Sequence, residues 1–192
     1  ADALAVMDAT ATESAVIVGF SLGGQRGLLL AAEHPDRVLG AVFIGPSYPG
    51  GGSPVPERAV HAWEEELDTD EGWAKYNKHY WLRDYQGFVE FFFSRFFTEP
   101  HSTKPFEDCV GWALETTGET LVTAQYGVTL SPEEARELAR RVSCPVLVIQ
   151  GAEDEQVSWT RGAALAEHTS GQLTSRDGSA HGVHVRDPVK VN

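Results

Sequence analysis

Basic residues are scarce in this 192-residue chain: 15 Lys and Arg stand against 28 Asp and Glu, a net charge of −13. Nucleic-acid backbones and anionic membranes both demand a basic face, so the balance argues against either as main partner. Long apolar runs are missing too. The longest, residues 38–45 and 146–149, are far too short to span a bilayer. Only two cysteines occur, Cys109 and Cys144, far apart and without metal-ligand spacing. They read as reduced and buried rather than as a disulfide. No His, Cys and Asp group has a metal's spacing. No loop cradles phosphate, since Gly50-Gly51-Gly52 lacks both the lysine and the following helix. Neither metal nor cofactor is implied. No secretory signal is visible, so the expected location is cytoplasmic.

What is present is an ordinary globular balance, 42% hydrophobic and 22% charged, enough for one sizeable core and too apolar for wholesale disorder. Residues 15–20 (AVIVGF) form a short, β-branched run that predicts a buried strand. Residues 22–34 are rich in Leu and Ala and predict a helix, stopped by Pro35-Asp36. Residues 38–45 (VLGAVFIG) are a second strand, and the helix between the two implies a parallel pair. Residues 145–151 (PVLVIQG) are a third strand, residues 160–168 a helix, and residues 172–176 a short strand. Ser131-Pro132-Glu133-Glu134 starts a helix that runs to about Arg141, with Ser as cap, Pro first and Glu134 reaching back.

The middle differs. Residues 46–56 (PSYPGGGSPVP) predict a flexible loop leaving the sheet. Residues 61–112 turn helical and hold 14 of the chain's 19 aromatics. Phe88, Phe91, Phe92 and Phe96 fall on one helical face, and Val89, Phe93 and Phe97 on another, so the block is buried on several faces. The expected division is 1–45 core, 46–130 helical insertion over the end of the sheet, and 131–192 core.

The sharpest motif is Gly19-Phe20-Ser21-Leu22-Gly23-Gly24, Gly-x-Ser-x-Gly at a strand-to-helix junction. Such a tight turn lifts the Ser21 hydroxyl above the sheet at a helix N-terminus. There the Leu22 backbone N–H faces any oxyanion formed on attack. Glycine is expected to be required at both 19 and 23. The bland alternative is a glycine-rich turn with a capping serine. A serine nucleophile needs a histidine base oriented by a carboxylate, in the chain order Ser, acid, His. After residues 145–151, Asp154 is the candidate acid, with Glu153 and Glu155 as solvated competitors. The loop after residues 38–45 offers Pro46 and Ser47 and no carboxylate. His181, in the small-residue run Asp177-Gly178-Ser179-Ala180-His181-Gly182, is the candidate base, with His184 as runner-up. His34, His61, His79, His101 and His168 read as surface or packing residues.

At these residues the chain resembles the α/β-hydrolase fold superfamily over essentially its whole length. Residues 19–23 match the elbow, 151–154 the acid turn and 179–182 the histidine loop. The resemblance implies Ser21 as nucleophile, His181 as base and acid, Asp154 as orienting acid, and the aromatic block as the cap roofing the site. It also implies a departure. The family begins with further strands, one of which leads into the loop carrying a second oxyanion donor, and it ends with a final helix. The chain therefore reads as a partial α/β-hydrolase fold, a fragment with the edge of its first strand and one sheet face uncovered. Alone it is expected to be weakly active or inactive. The expected activity of the intact enzyme is cleavage of a carboxylic ester or related acyl bond on a small molecule with an apolar acyl group. Acyl transfer to another acceptor, and a non-catalytic ligand-binding or signalling module of the same fold, stay open.

Overall fold

A computed structural model of the chain describes residues 2–53, 63–100, 102–127 and 130–192. His61, His101 and residues 54–56 of the glycine/proline loop lie outside the described residues. The chain divides into two compact units. The first comprises Ala1–Gly52, Leu130–Gln150 and Trp159–Arg176; the second comprises Ser53–Thr129, Gly151–Ser158 and Asp177–Asn192. The acid loop and the histidine loop thus group with the helical block.

The first unit is an α/β layer. Its strands are β1 (Ala15–Phe20), β2 (Val38–Ile44), β3 (Val146–Gly151) and β4 (Gln172–Arg176), adjacent in that order. β1 pairs parallel with β2, and β2 with β3. Helix α1 (Asp2–Ala9) precedes the sheet, and α2 (Gly23–Glu33) crosses from β1 to β2. Leu28 on α2 packs with Phe43 and Val148 of the sheet and with Leu138 and Leu165, all at most 8% exposed. Burying each such side chain is worth about 1.5–3 kcal/mol.

The apolar sequence of β1 predicts burial on both faces, and this is corrected: Val16 and Val18 are 57% and 63% exposed. Among the described residues β1 is the edge strand, and the helical layer covers only the face that carries Ile17. Both cysteines are free, but only Cys109 is buried; Cys144 is half-buried.

The second unit is helical. It holds a 3₁₀ turn (Gly72–Lys75), α3 (Lys78–Arg83), α4 (Tyr85–Ser94), α5 (Thr103–Ala113) and α6 (Gly118–Gln125). Asn77, Asp84 and Thr117 cap α3, α4 and α6, each side chain accepting a backbone N–H of the first turn. Two of these N–H donors belong to His79 and Gly87. The Gly87 N–H and the Tyr80 hydroxyl on Asp84 hold its carboxyl below the usual carboxylate range. The core is aromatic. Trp81 packs on Phe88 with ring centroids 4.2 Å apart, and Tyr76 meets Trp81 edge-on at 5.1 Å. The continuous helical face through Phe97 is corrected: α4 ends at Ser94. Phe96 and Phe97 lie in the turn beyond and are both buried.

Helix α7 (Pro132–Arg141) starts as its sequence predicts: Ser131 Oγ accepts the Glu134 N–H, and Glu134 accepts the Ser131 N–H. Helix α8 (Trp159–His168) joins β3 to β4, and two short turns, α9 (Val183–Arg186) and α10 (Pro188–Val191), follow the histidine loop.

Candidate active site

In the first unit, β1 passes into α2 through Ser21, whose φ is +49°. That left-handed conformation costs a non-glycine residue about 1–3 kcal/mol and persists only where the surroundings enforce it. Ala11 and Ser170 share it, but each sits just past a helix C-terminus, where a left-handed residue is the normal ending. Ser21 instead precedes a helix. Its own N–H donates to Ile44 O at 3.0 Å, and its carbonyl accepts the N–H groups of Gly24 and Ser47 at 2.9 Å each. The end of β2 thus pins the turn from both sides.

The expected need for glycine at both flanking positions is corrected. A Cβ at Gly19 would sit 2.8 Å from the Gly23 carbonyl oxygen and 3.1 Å from Gly24 Cα. One at Gly23 would meet nothing within 4 Å. The second tight position is Gly24, where a Cβ would lie 3.0 Å from Pro46 Cβ. The Leu22 backbone N–H lies at the start of α2 and donates to no described residue. The helix N-terminus places partial positive charge there.

In the second unit, the acid and histidine candidates meet. His181 Nδ1 lies 2.7 Å from Asp154 Oδ2, with the two side chains 1% and 0% exposed. Asp154 Oδ1 accepts the N–H groups of Gln156 and Val157 at 2.8 Å each. The carboxylate is therefore fixed by backbone donors and presents its other oxygen to the ring. The Glu153 N–H donates to Ser179 O at 3.0 Å, tying the acid loop to the histidine loop. Gly151 is required here, because a Cβ would overlap the Ser179 and Ala180 carbonyl oxygens. Glu153 and Glu155 are exposed, the latter paired with Arg95 at 3.7 Å. His184 lies on α9, its pKa lowered first by burial and then by its neighbour His181. His168 Nδ1 bonds the Tyr48 hydroxyl at 2.7 Å, and His79 Nε2 meets Glu64 O at 3.1 Å, both packing roles.

Sequence reasoning missed three residues. Gln25, buried on α2, donates from Nε2 to Ser47 O at 2.8 Å and braces the loop behind Ser21. A polar residue on a Leu/Ala helix was the available signal. Phe96 stands edge-on to the His181 ring at 4.8 Å, and Glu99 accepts the Ala180 N–H at 2.6 Å. For these two no local signal exists. The second unit also holds a half-open cavity of about 260 Å³ lined by Tyr76, Trp81, Phe88, Phe92, Phe93 and Leu121 among others. Among the described residues no helix is long and apolar enough to cross a membrane.

Comparison with known proteins bears on this geometry. The family model for the alpha/beta hydrolase fold matches residues 1–188. An esterase from Exiguobacterium antarcticum superposes with a TM-score of 0.77 at 15% identity, over 99% of this chain and 68% of that one. An esterase from Rhodococcus sp. ECU1013 gives 0.73 at 24% identity, over 99% and 66%. An enol-lactonase from Burkholderia xenovorans LB400 gives 0.74 at 21%, over 99% and 67%. At these identities the likeness is one of fold, and this chain spans about two-thirds of the length of those structures. No curated protein matches the chain.

Proposed function

We infer that this chain, which belongs to the alpha/beta hydrolase fold family, carries the chemistry of a serine hydrolase that cleaves a carboxylic ester or related acyl bond. The observation that carries the reading is the buried His181–Asp154 pair. An imidazole held on Nδ1 by a carboxylate that is itself fixed has one tautomer and one orientation, which general-base work needs. The strained Ser21 turn supplies the matching nucleophile in the order Ser, Asp, His.

In the proposed reaction Ser21 Oγ attacks the carbonyl carbon while His181 Nε2 takes its proton. The Leu22 N–H stabilises the oxyanion. The carbon–oxygen bond to the leaving group breaks, and His181 returns the proton to the departing alcohol. Water then adds to the acyl-serine, His181 accepts its proton, the Ser21–acyl bond breaks, and the acid leaves as the serine is reprotonated. Asp154 stays ionised and steadies the imidazolium.

The aromatic cavity is the proposed seat of the acyl group. It is slightly smaller than the 300–1,000 Å³ of drug-sized pockets, so a single ring or a short chain fits best.

The test uses the full reading frame that carries this sequence. Wild type and Ser21→Ala are treated with a fluorophosphonate probe, the adduct is located by mass spectrometry, and p-nitrophenyl esters of rising chain length are assayed. The expected result is labelling at Ser21, none in the variant, and turnover favouring short or aromatic acyl groups. A folded wild type that neither labels nor turns over overturns the reading in favour of a binding module.

A further inference from the structure

We propose that Glu99 is a positioning residue for His181, holding the histidine loop through a clamp formed by residues 96–100. The proposal rests on the reading of His181 as the general base, and every contact in it lies within the second unit.

The clamp grips the loop on both sides of the imidazole. The N–H of Ala180, just before His181, donates to Glu99 Oε1 at 2.6 Å. The N–H of Gly182, just after it, donates to Phe96 O at 3.4 Å. The Phe96 ring stands against the imidazole between these two bonds, with centroids 4.8 Å apart and planes at 87°. Further on, Arg186 Nη2 donates to Pro100 O at 3.4 Å. Gly182 has no room for a side chain, because the rings of Phe96 and Phe97 fill the space a Cβ would take. Ala180, His181 and Gly182 are all buried.

Glu99 is an unusual choice for a merely structural anchor. Its Oε2 is buried and has no hydrogen-bond partner among the described residues. Leaving a carboxylate oxygen unsatisfied away from water is costly and calls for an explanation. What the carboxylate gains is a short, charge-assisted bond to one backbone N–H. That N–H belongs to the residue before the imidazole.

The two carboxylates then do different work. Asp154 fixes the ring's rotation through Nδ1. Glu99, with Phe96, fixes the height and direction of the backbone that carries the ring. A displacement of about 1 Å in a reacting group costs up to about 100-fold in rate, so both constraints bear on turnover.

The test compares Glu99→Ala and Glu99→Gln in the full chain by two readouts: steady-state kinetics on a p-nitrophenyl ester, and the proton NMR resonance of His181 Nδ1–H, assigned by its loss in His181→Gln. Glu99→Ala is expected to lower kcat by about 10- to 100-fold with KM changed less than about twofold, the signature of lost positioning rather than lost binding. It is also expected to shift or broaden the Nδ1–H resonance. Glu99→Gln keeps an acceptor oxygen for Ala180 and is expected to recover most of both signals. If Glu99→Ala does not fold, Glu99→Met, of similar length and without a carboxylate, carries the same expectations. A folded Glu99→Ala or Glu99→Met with wild-type kcat and resonance overturns the proposal. So does a Glu99→Gln as impaired as Glu99→Ala, which would place the effect in charge rather than in the loop anchor. The NMR readout needs no turnover. An unlabelled Ser21 together with a shifted Nδ1–H would remove the hydrolase reading and leave the clamp standing.

Discussion

Replacing Asp154 by Asn and by Ala should separate two roles of one side chain. The carboxylate is fully buried and takes the N–H groups of Gln156 and Val157 on Oδ1 and His181 Nδ1 on Oδ2. In Asp154→Asn the amide oxygen keeps the two backbone donors, because turning it away would orphan both. The amide NH₂ then faces Nδ1, which must become an acceptor. The ring proton moves to Nε2, the atom that the proposed mechanism needs free to receive the Ser21 proton. Loss of the correct tautomer lowers kcat by about 10⁴ in comparable triads, about 5 kcal/mol of barrier. The hydrogen-bond count is unchanged, so stability should fall by only about 1 kcal/mol. Asp154→Ala instead strands two backbone N–H groups and the imidazole, at about 1–3 kcal/mol each. The assay pairs kcat on a p-nitrophenyl ester with urea unfolding. The expected outcome is a stable, inactive Asn variant and a destabilised Ala variant. An Asn variant within tenfold of wild type would refute the tautomer argument. Equal destabilisation by the two would refute the hydrogen-bond account.

Three other perturbations follow from the geometry. Gly19→Ala places a Cβ 2.8 Å from the Gly23 carbonyl oxygen, whereas Gly23→Ala meets nothing within 4 Å; denaturant midpoints should fall sharply for the first and rise by up to about 1 kcal/mol for the second, which sits on a helix. Burial pushes the Tyr48 phenol from 10.0 to about 12, against smaller opposing effects of Arg136 and Arg140. The charged form is disfavoured in the folded state, so this contribution is intact below pH 10 and lost as pH rises from 10 towards 12; Tyr48→Phe should flatten that alkaline loss in urea midpoints taken from pH 9 to 12. Val18 is 63% exposed on the edge strand, an aggregation-prone arrangement. Val18→Lys should reduce self-association in light scattering while changing stability by no more than about 0.5 kcal/mol, and unchanged scattering would count against β1 as the sticky surface.

The legible parts of the sequence were local. AVIVGF, VLGAVFI and VLVIQG announce strands because β-branched runs of that length have no competing helical period. Ser131-Pro132-Glu133-Glu134 announces a helix start because both halves of a capping box lie within four residues. The strand-to-helix turn at Ser21 was legible for the same reason, and the proposed acid, Asp154, lies three residues past the end of its strand. What sequence could not show was which glycines matter. The clash at Gly19 comes from the Gly23 carbonyl, while the tight neighbour of Gly24 is Pro46, brought in by the following strand. The exposure of Val16 and Val18 was hidden too, because apolar composition reports what a strand could bury and not which faces are covered.

Glu99 shows where that limit falls. It lies in a stretch of TEP between the phenylalanines and a helix, with nothing to mark it as more than a loop acid. Its partner is a backbone N–H 81 residues further on, and backbone donors leave no trace in sequence, since every residue but proline has one. Asp154 could be proposed from sequence because the chemistry names a residue type and a place in the chain order. Glu99 could not, because a backbone anchor can come from any element that happens to pass nearby. In the proposed clamp, the histidine's geometry depends on the packing of the aromatic block. A core substitution outside the cavity lining, such as Phe97→Ala, whose ring fills the space beside Gly182, would then lower kcat through loop disorder before it touched KM.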